Sequence, residues 1–198
     1  TDGIALQTIK LVFEWLEKSV KTADPEAREK MHNASTMAGM AFANAFLGMS
    51  HSMAHKIGAV HHTVHGRTNA ILLPYVIRYN GTRPSKTTTW PKYNYWKADE
   101  KFQDIAKMLG LPHSTPEEAV EAYAKAVYEL GVAVGIKMNF KDQGIDEKAW
   151  KDSLHEIALL AYEDQCSPAN PRLPMVADME EIMADAYYGY AERPGRRK

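Results

Sequence analysis

Histidines are concentrated in one short stretch of the sequence. Five of the eight histidines fall within residues 51–65. His51 and His55 are four residues apart, and on a helix this spacing puts both imidazoles on one face, where they can hold one cation or flank one reacting group. Neutral imidazole suits zinc, iron, copper and nickel alike, so the residue types do not name the metal. Several imidazoles at the end of an apolar segment are typical of a metal or proton-transfer site.

Each of these histidines taken alone also has a structural interpretation. His51 and His55 can be interior polar residues hydrogen-bonded to backbone, and His61 and His62 can be surface loop residues. For a single histidine this structural interpretation is the better one. The density of the cluster favours a functional site instead.

The elements that must position the cluster are helices. Apolar residues at helical spacing predict a first helix over residues 4–20, and Pro25 begins the next. Charge is almost absent after Lys30, so we expect the second segment to be buried on nearly all sides. Residues 34–58 then form the central helix of a bundle, with close backbone neighbours at its alanines and glycines. His65 is expected in a loop that folds back over the end of this helix.

Helical patterns also follow the cluster. An apolar helix containing Pro74 is predicted over residues 69–79, and Asn80-Gly81 is a turn signal after it. Residues 81–98 form the one long irregular segment, which we expect to pack on the surface through its aromatic side chains. Further helices are predicted over residues 99–109, from Thr115 with Glu118 completing a capping box, from Asp146 to Tyr162, and over residues 175–188.

The predicted fold class is all-α. No run of alternating apolar and polar residues bounded by turn signals predicts a strand. We therefore expect a helical, bundle-like domain of about seven or eight helices.

The composition is that of a globular protein in a reducing compartment. The 198 residues are 45% hydrophobic and 25% charged, and 24 Lys+Arg against 25 Asp+Glu give a net charge of -1. This balance argues against nucleic acid or an anionic membrane as a partner, and no stretch approaches the ~20 apolar residues of a membrane helix. The single Cys166 excludes an internal disulfide, so we expect the chain in the cytoplasm. The length of the chain predicts one domain.

Nucleotide-binding motifs are missing from the sequence. No two glycines lie closer than four residues apart, and none are five apart. These spacings exclude both the G-x-G-x-x-G dinucleotide loop and the phosphate-cradling Walker loop. The chain by itself therefore has no cradle for a nucleotide cofactor.

Several segments together resemble a known signature. Residues 44–58, His65-Gly66 and residues 69–74 are similar to the signature of the iron-dependent (group III) alcohol dehydrogenases. Within that family, residues 39–48 and 164–174 look most like the alcohol dehydrogenase half of the bifunctional aldehyde-alcohol dehydrogenases. The resemblance covers essentially the whole chain. It implies that residues 1–198 are the C-terminal all-α metal-binding domain of the dehydroquinate synthase-like fold, and that the N-terminal nucleotide-binding domain is not in this sequence.

The resemblance also implies a metal site. Family members hold the metal between the two domains, with an Asp and a His from one D-x-x-x-H helix and two further histidines. Carried onto this sequence, those two are His51 and His65, whereas His55 faces the nicotinamide and the substrate. This assignment replaces the pairing of His51 with His55 that the spacing suggests. No Asp has a His four positions later, so the first two ligands are not in this chain. Val64 stands where the family usually has Pro, so we expect the segment presenting His65 to be less rigid here.

The implied activity is that of an NAD-dependent alcohol dehydrogenase with Fe²⁺, or alternatively Zn²⁺, that reduces acetaldehyde and other short aldehydes to alcohols. The metal acts as a Lewis acid, and His55 is part of a relay that supplies the alcohol proton. Phe42 and Cys166 are candidates for the pocket wall, although Phe42 fits equally well as a core aromatic. Cys166 is not needed as a nucleophile, and Arg172 is expected to tie down its proline-rich loop.

Other functions remain open at this stage. A non-catalytic helical metal-binding module would use the same histidines, and an interaction domain fits a parent protein that forms homo-oligomers or filaments. We expect the separate chain to be inactive and to bind metal weakly. The face bearing His51, His55 and Phe42 is expected to be an apolar concavity, either open to solvent or covered by a partner.

Overall fold

The computed structural model describes residues 1–84 and 96–189, and the regular secondary structure of this part of the chain is all helical. It contains no strand, and a short 3₁₀ turn at Ser167–Ala169 precedes the last helix. The all-α prediction and the expected number of helices are confirmed. No helix of the described ranges is both long and apolar enough to cross a membrane. The helices are α1 (Asp2–Thr22), α2 (Pro25–Ala45), α3 (Met49–His61), α4 (His65–Gly81), α5 (Ala98–Met108), α6 (Pro116–Ala133), α7 (Glu147–Tyr162) and α8 (Val176–Tyr188).

Helix starts follow local capping chemistry. The Asp146 carboxylate accepts a hydrogen bond from the Ala149 N–H at 2.9 Å, and the Thr115 hydroxyl accepts one from the Glu118 N–H at 3.2 Å. Such caps satisfy backbone donors that the first turn of a helix leaves free. The capping box at α6 is displaced by one residue, because the Glu118 carboxylate accepts from the Ser114 N–H rather than from that of Thr115.

The predicted central helix over residues 34–58 is wrong, because the chain breaks into α2 and α3 at residues 46–48. Phe46 ends α2 with a φ of 66° and donates its N–H to the Phe42 carbonyl at 2.8 Å. A positive φ is rare for a residue with a side chain, and it turns the chain out of the helix.

Close packing against residue 170 accompanies this break. The Asn170 side-chain oxygen accepts a hydrogen bond from the Met49 N–H at 3.3 Å, which caps the start of α3. A Cβ on Gly48 would lie 2.7 Å from that oxygen, so the approach requires glycine. The break is therefore fixed by a contact that is distant in the sequence.

Helix α2 is also less buried than the low charge of its sequence predicted. Only Ala27, Ala34 and Ala41 are buried along it, and their seven-residue spacing forms one stripe. This stripe belongs to a helix that packs on α1 and leaves its other faces open. The expectation of burial on nearly all sides was wrong, since low charge does not by itself supply a packing partner.

The core is centred on α3. This helix packs against α4, α7, α8 and the 3₁₀ turn, and it buries Met53 and Ile57 completely. Three aromatic rings stack beside it, with ring centres 4.8 Å apart for Phe140 and Trp150 and 5.3 Å for Trp150 and Tyr187. A second cluster joins α4, α5 and α6. Because α3 is anchored on several sides, it is a rigid platform for the histidines at its exposed edge.

Helix α4 runs longer than predicted. Asn80 and Gly81 are its last residues rather than a turn, and a Cβ on Gly81 would lie 2.5 Å from a methyl group of Val120, so glycine permits close packing on α6. Of the irregular segment predicted over residues 81–98, residues 85–95 lie outside the described part of the chain. Trp96 is within it, and its indole N–H donates to the Asn80 carbonyl at 3.2 Å.

Candidate metal centre

Three histidines converge where α3 meets α4. The ring centres of His51 and His65 are 5.3 Å apart, those of His55 and His65 are 5.2 Å apart, and those of His51 and His55 are 6.3 Å apart. His65 is the first residue of α4, so the expected loop was wrong. The reversal happens within residues 62–64, where His62 adopts a left-handed φ of 53°. The structure thus brings together the two predicted ligands and the predicted proton-transfer residue.

The environment of His51 favours its neutral form. Partial burial, followed by the charges of His65 and His55, lowers the pKa of His51 below its ordinary value of 6.5. A neutral imidazole is the form that donates a nitrogen lone pair to a metal. At neutral pH His51 can therefore act as a ligand without first losing a proton.

The ring of His65 is held by an amide. Asn69, one turn along α4, places its side-chain nitrogen 3.1 Å from Nε2 of His65, and its oxygen accepts a hydrogen bond from the Ser50 hydroxyl at 2.9 Å. These contacts connect α3 to α4 and limit the rotation of the His65 ring. A metal bound at Nε2 would take the place of the amide, whereas one at Nδ1 would leave it in position.

The histidine motif did not reveal an acidic group beside His55. The Asp164 carboxylate, which is 8% exposed, lies 3.3 Å from Nδ1 of His55 and 3.0 Å from the Lys56 ammonium through the same oxygen, Oδ2. Its other oxygen, Oδ1, accepts from the Cys166 N–H at 3.0 Å. Partial burial works to raise the pKa of Asp164, but the hydrogen bonds from Cys166, Lys56 and His55 outweigh it, and the pKa lies well below its ordinary value. The side chain is therefore a carboxylate at neutral pH.

Cys166 lies next to this carboxylate and holds it through the backbone N–H. The residue is only 1% exposed, and burial together with the adjacent Asp164 raises the pKa of its thiol to about 11. The thiol is therefore protonated at neutral pH, and a protonated thiol is a poor nucleophile. A direct contact with substrate, as predicted for a pocket wall, would need this buried side chain to become accessible.

Phe42 is on a different helix from the three histidines. It lies on α2 and is 47% exposed, so it is not an ordinary core aromatic in this chain. Its place in a substrate pocket stays a prediction.

An apolar groove lies beside the break between α2 and α3. It has a volume of about 600 Å³, runs between α1, the 46–48 break and α5, and its lining does not include His51, His55 or Phe42. The expectation that these three residues share an apolar concavity stays a prediction. Apolar groove residues include Leu6, Ile9, Phe46, Leu47, Trp96 and Phe102.

Arg172 has the structural role that was predicted. Its guanidinium lies 3.9 Å from the ring centre of Tyr79 and donates to the Tyr79 carbonyl at 3.0 Å. This stacking and hydrogen bonding tie the segment after the 3₁₀ turn to α4.

The sequence and the fold both identify the class of protein. Residues 1–187 match the Fe-containing alcohol dehydrogenase family, C-terminal part, so the chain belongs to the iron-containing alcohol dehydrogenase family. The resemblance of the histidine segment to this family is thereby confirmed.

Two similar relatives are named aldehyde-alcohol dehydrogenases. The aldehyde-alcohol dehydrogenase of Streptococcus pneumoniae serotype 2 is 80% identical over 198 residues, and aldehyde-alcohol dehydrogenase 2 of Entamoeba histolytica is 60% identical over 191 residues. The alignments cover 100% and 96% of this chain. The chain spans only 22% of the length of either relative.

Solved structures of the family have the same helical fold. A 1,3-propanediol oxidoreductase superposes with a TM-score of 0.79 at 32% identity, and an alcohol dehydrogenase from Oenococcus oeni with a TM-score of 0.79 at 31% identity. Each comparison covers 94% of this chain and 45% of the other. The predicted fold family is confirmed.

The donor set is compatible with the metal in the family's name. Two imidazoles bound to one ion through nitrogen–metal bonds of ~2.0–2.1 Å have ring centres roughly 5 Å apart. The separation of 5.3 Å between His51 and His65 agrees with this, and neither ring has a cationic side chain as its hydrogen-bond partner among the contacts described. Imidazole nitrogen accommodates iron and zinc equally.

Proposed function

We propose that this chain is the C-terminal helical domain of a longer, NAD-dependent and metal-dependent alcohol dehydrogenase that converts acetaldehyde and other short aldehydes to alcohols. The convergence of His51, His55 and His65 in a chain of this family carries the proposal. The high identity to two aldehyde-alcohol dehydrogenases supports the choice of substrate class. The single buried cysteine suits a cytoplasmic protein.

In this proposal the helical domain contributes half of a metal site. His51 and His65 hold a ferrous ion, with zinc as the alternative. When bound, the metal supplies Lewis-acid stabilisation of charge on the substrate oxygen. The other ligands and the pyrophosphate cradle belong to a nucleotide-binding domain, because this chain has neither a D-x-x-x-H motif nor a glycine-rich phosphate loop. The nicotinamide supplies the hydride.

His55 has a different task, which is to move a proton. Its ring stacks on that of His65 with an interplanar angle of 15°, so it lies directly beside the proposed metal ligand. An imidazole in this position can donate a proton to the alkoxide oxygen as an aldehyde is reduced and recover it in the reverse reaction. Phe42 of α2 would then form part of the wall of the substrate pocket.

The test uses the full-length protein that contains this chain. We expect it to reduce NAD with ethanol, measured by absorbance of the reduced cofactor, and to contain bound iron. His51→Ala and His65→Ala should each remove most of the bound metal and the alcohol dehydrogenase activity. His155→Ala is the matched control, because this exposed histidine of α7 contacts Glu180 and is not among the described contacts of His51, His55 or His65. Retention of metal and activity in both cluster variants would overturn the proposed site.

A role in assembly is a second proposal, supported by apolar side chains on the open part of the chain. Met40, Phe42 and Phe46 are each about half exposed on or at the end of α2. Exposed apolar side chains of this size can take part in contacts between proteins or domains. Such a surface would be used in a homo-oligomer or filament of the full-length protein. Polar substitutions at Met40 and Phe46 should reduce the assembly size measured by light scattering.

A further inference from the structure

The Asp164 carboxylate has a defined hydrogen-bond partner at each oxygen. Oδ1 is fixed by the backbone N–H of Cys166, two residues later in the same turn. Oδ2 contacts both Nδ1 of His55 and the ammonium of Lys56. The carboxylate thus links the turn after α7 to two consecutive residues of α3. Asp164 and His55 are 109 positions apart in the sequence.

This arrangement determines which nitrogen of His55 carries the proton. An ionised carboxylate only accepts hydrogen bonds, so Nδ1 of His55 must be the protonated nitrogen of the neutral ring. Nε2 is then left with a free lone pair. A histidine held in this tautomer takes up and releases its mobile proton at Nε2 alone.

A second metal site at the same place is less consistent with the contacts. One donor atom each from His55, Asp164 and Cys166 lie within 4.8 Å of one another, a separation at which a cation could in principle be shared. The oxygen nearest His55, however, already binds the Lys56 ammonium. A buried, protonated thiol is also not a metal ligand until it loses its proton.

We propose that Asp164 is a positioning residue for alcohol–aldehyde interconversion, holding His55 in the Nδ1–H tautomer so that Nε2 exchanges the substrate proton. The inference rests on the proposed function. In alcohol oxidation the O–H bond of the substrate breaks and its proton passes to Nε2, while the carbon loses a hydride, with both electrons, to the oxidised nicotinamide. Lys56 balances the charge of Asp164, and Cys166 fixes its orientation.

The experiment is a double-mutant cycle in the full-length protein. Asp164→Asn should lower kcat for ethanol oxidation by roughly tenfold or more, because the amide can present its N–H to Nδ1 and so favour the wrong tautomer. KM for ethanol and iron content should stay close to the wild-type values. In a His55→Ala background the same substitution should cause no further loss of kcat, since the residue acts only through His55.

Two further variants separate positioning from general damage. Asp178→Asn is the matched control, because Asp178 also accepts two hydrogen bonds, from the Tyr79 hydroxyl and the Met175 N–H, and is not among the described contacts of His55. It should leave kcat unchanged. Asp164→Glu keeps the negative charge and should retain more activity than Asp164→Asn, so a comparison remains available if the Asn variant does not fold.

The outcomes distinguish this role from the proposed function itself. Multiplicative losses in the double variant, or full activity of Asp164→Asn in an active wild-type background, would overturn the positioning role alone. A wild-type protein that contains iron and yet fails to oxidise ethanol with NAD would overturn the proposed function. Loss of activity in Asp178→Asn equal to that in Asp164→Asn would also count against a specific action on His55.

Discussion

At the scale of single residues, His55 and His65 stack on each other yet have different polar partners. His55 contacts the Asp164 carboxylate, whereas His65 contacts the Asn69 amide. A carboxylate accepts a hydrogen bond from Nδ1 and leaves Nε2 to exchange a proton, whereas the amide limits the rotation of the His65 ring. The partners therefore agree with a proton-transfer role for His55 and a ligand role for His65.

Asp164 also makes the stability of the chain depend on pH. Because its folded pKa is depressed, its stabilising effect is complete above the unfolded pKa of about 3.9 and is lost as the pH falls below that value towards the folded pKa. We expect Asp164→Asn to lower the free energy of unfolding by ~1–3 kcal/mol at pH 7 and by less at pH 3, where the loss of the stabilising effect has begun.

Urea unfolding of this chain between pH 7 and pH 3 would measure this difference. Asp152→Asn is the control, because Asp152 is an exposed carboxylate of α7 that pairs only with Lys148 among the contacts described. A loss of unfolding free energy in Asp164→Asn that stays constant across the pH range would contradict the depressed pKa of Asp164.

The residues of the candidate site were predictable only in part. His51, His55 and His65 stood out because they share one continuous motif of fifteen residues. Asp164 did not stand out, since its contact with His55 spans 109 positions and no local pattern encodes it. Local sequence rules also predicted a loop at His65, because no residue pattern there indicates that α4 begins at this position.

At the scale of elements, prediction worked where the determinants were local. The caps at Thr115 and Asp146 were recognisable from three or four consecutive residues, and both helices begin there. The break between α2 and α3 was not, because it depends on a left-handed Phe46 and on the approach of Asn170 to Gly48. Its residues carry no proline, and low charge alone suggested one continuous buried helix.

Two helical glycines should respond in opposite ways to alanine. A Cβ at Gly39, within α2, meets nothing within 4 Å, so Gly39→Ala should stabilise the chain by about 0.5–1 kcal/mol through helix propensity. A Cβ at Gly81 would lie 2.5 Å from a branched side chain, Val120, so Gly81→Ala should destabilise the chain by ~1–3 kcal/mol. Thermal unfolding followed by circular dichroism measures both. Destabilisation by Gly39→Ala would mean that α2 packs more tightly than its exposure indicates.

At the scale of the whole molecule, we propose that the chain supplies one side of a site. Its core is complete around α3, and the histidines lie at the edge of that core rather than inside it. Solved relatives are more than twice as long, with this chain covering 45% of their length. The helical domain therefore positions His51, His55 and His65, and in the proposed site it supplies two of the metal ligands.

The last prediction concerns this chain on its own, which should bind iron weakly and show no alcohol dehydrogenase activity. Metal sites with fixed geometry use three or four protein ligands, and two histidines leave most coordination positions to water. The nicotinamide also has no pyrophosphate loop to hold it here. Adding ferrous iron, NAD and ethanol to the purified chain, with the full-length protein as the positive control, tests both points through equilibrium dialysis and absorbance of the reduced cofactor. Clear turnover by the separate chain would mean that a second copy supplies the other ligands, or that the metal is not held by His51 and His65.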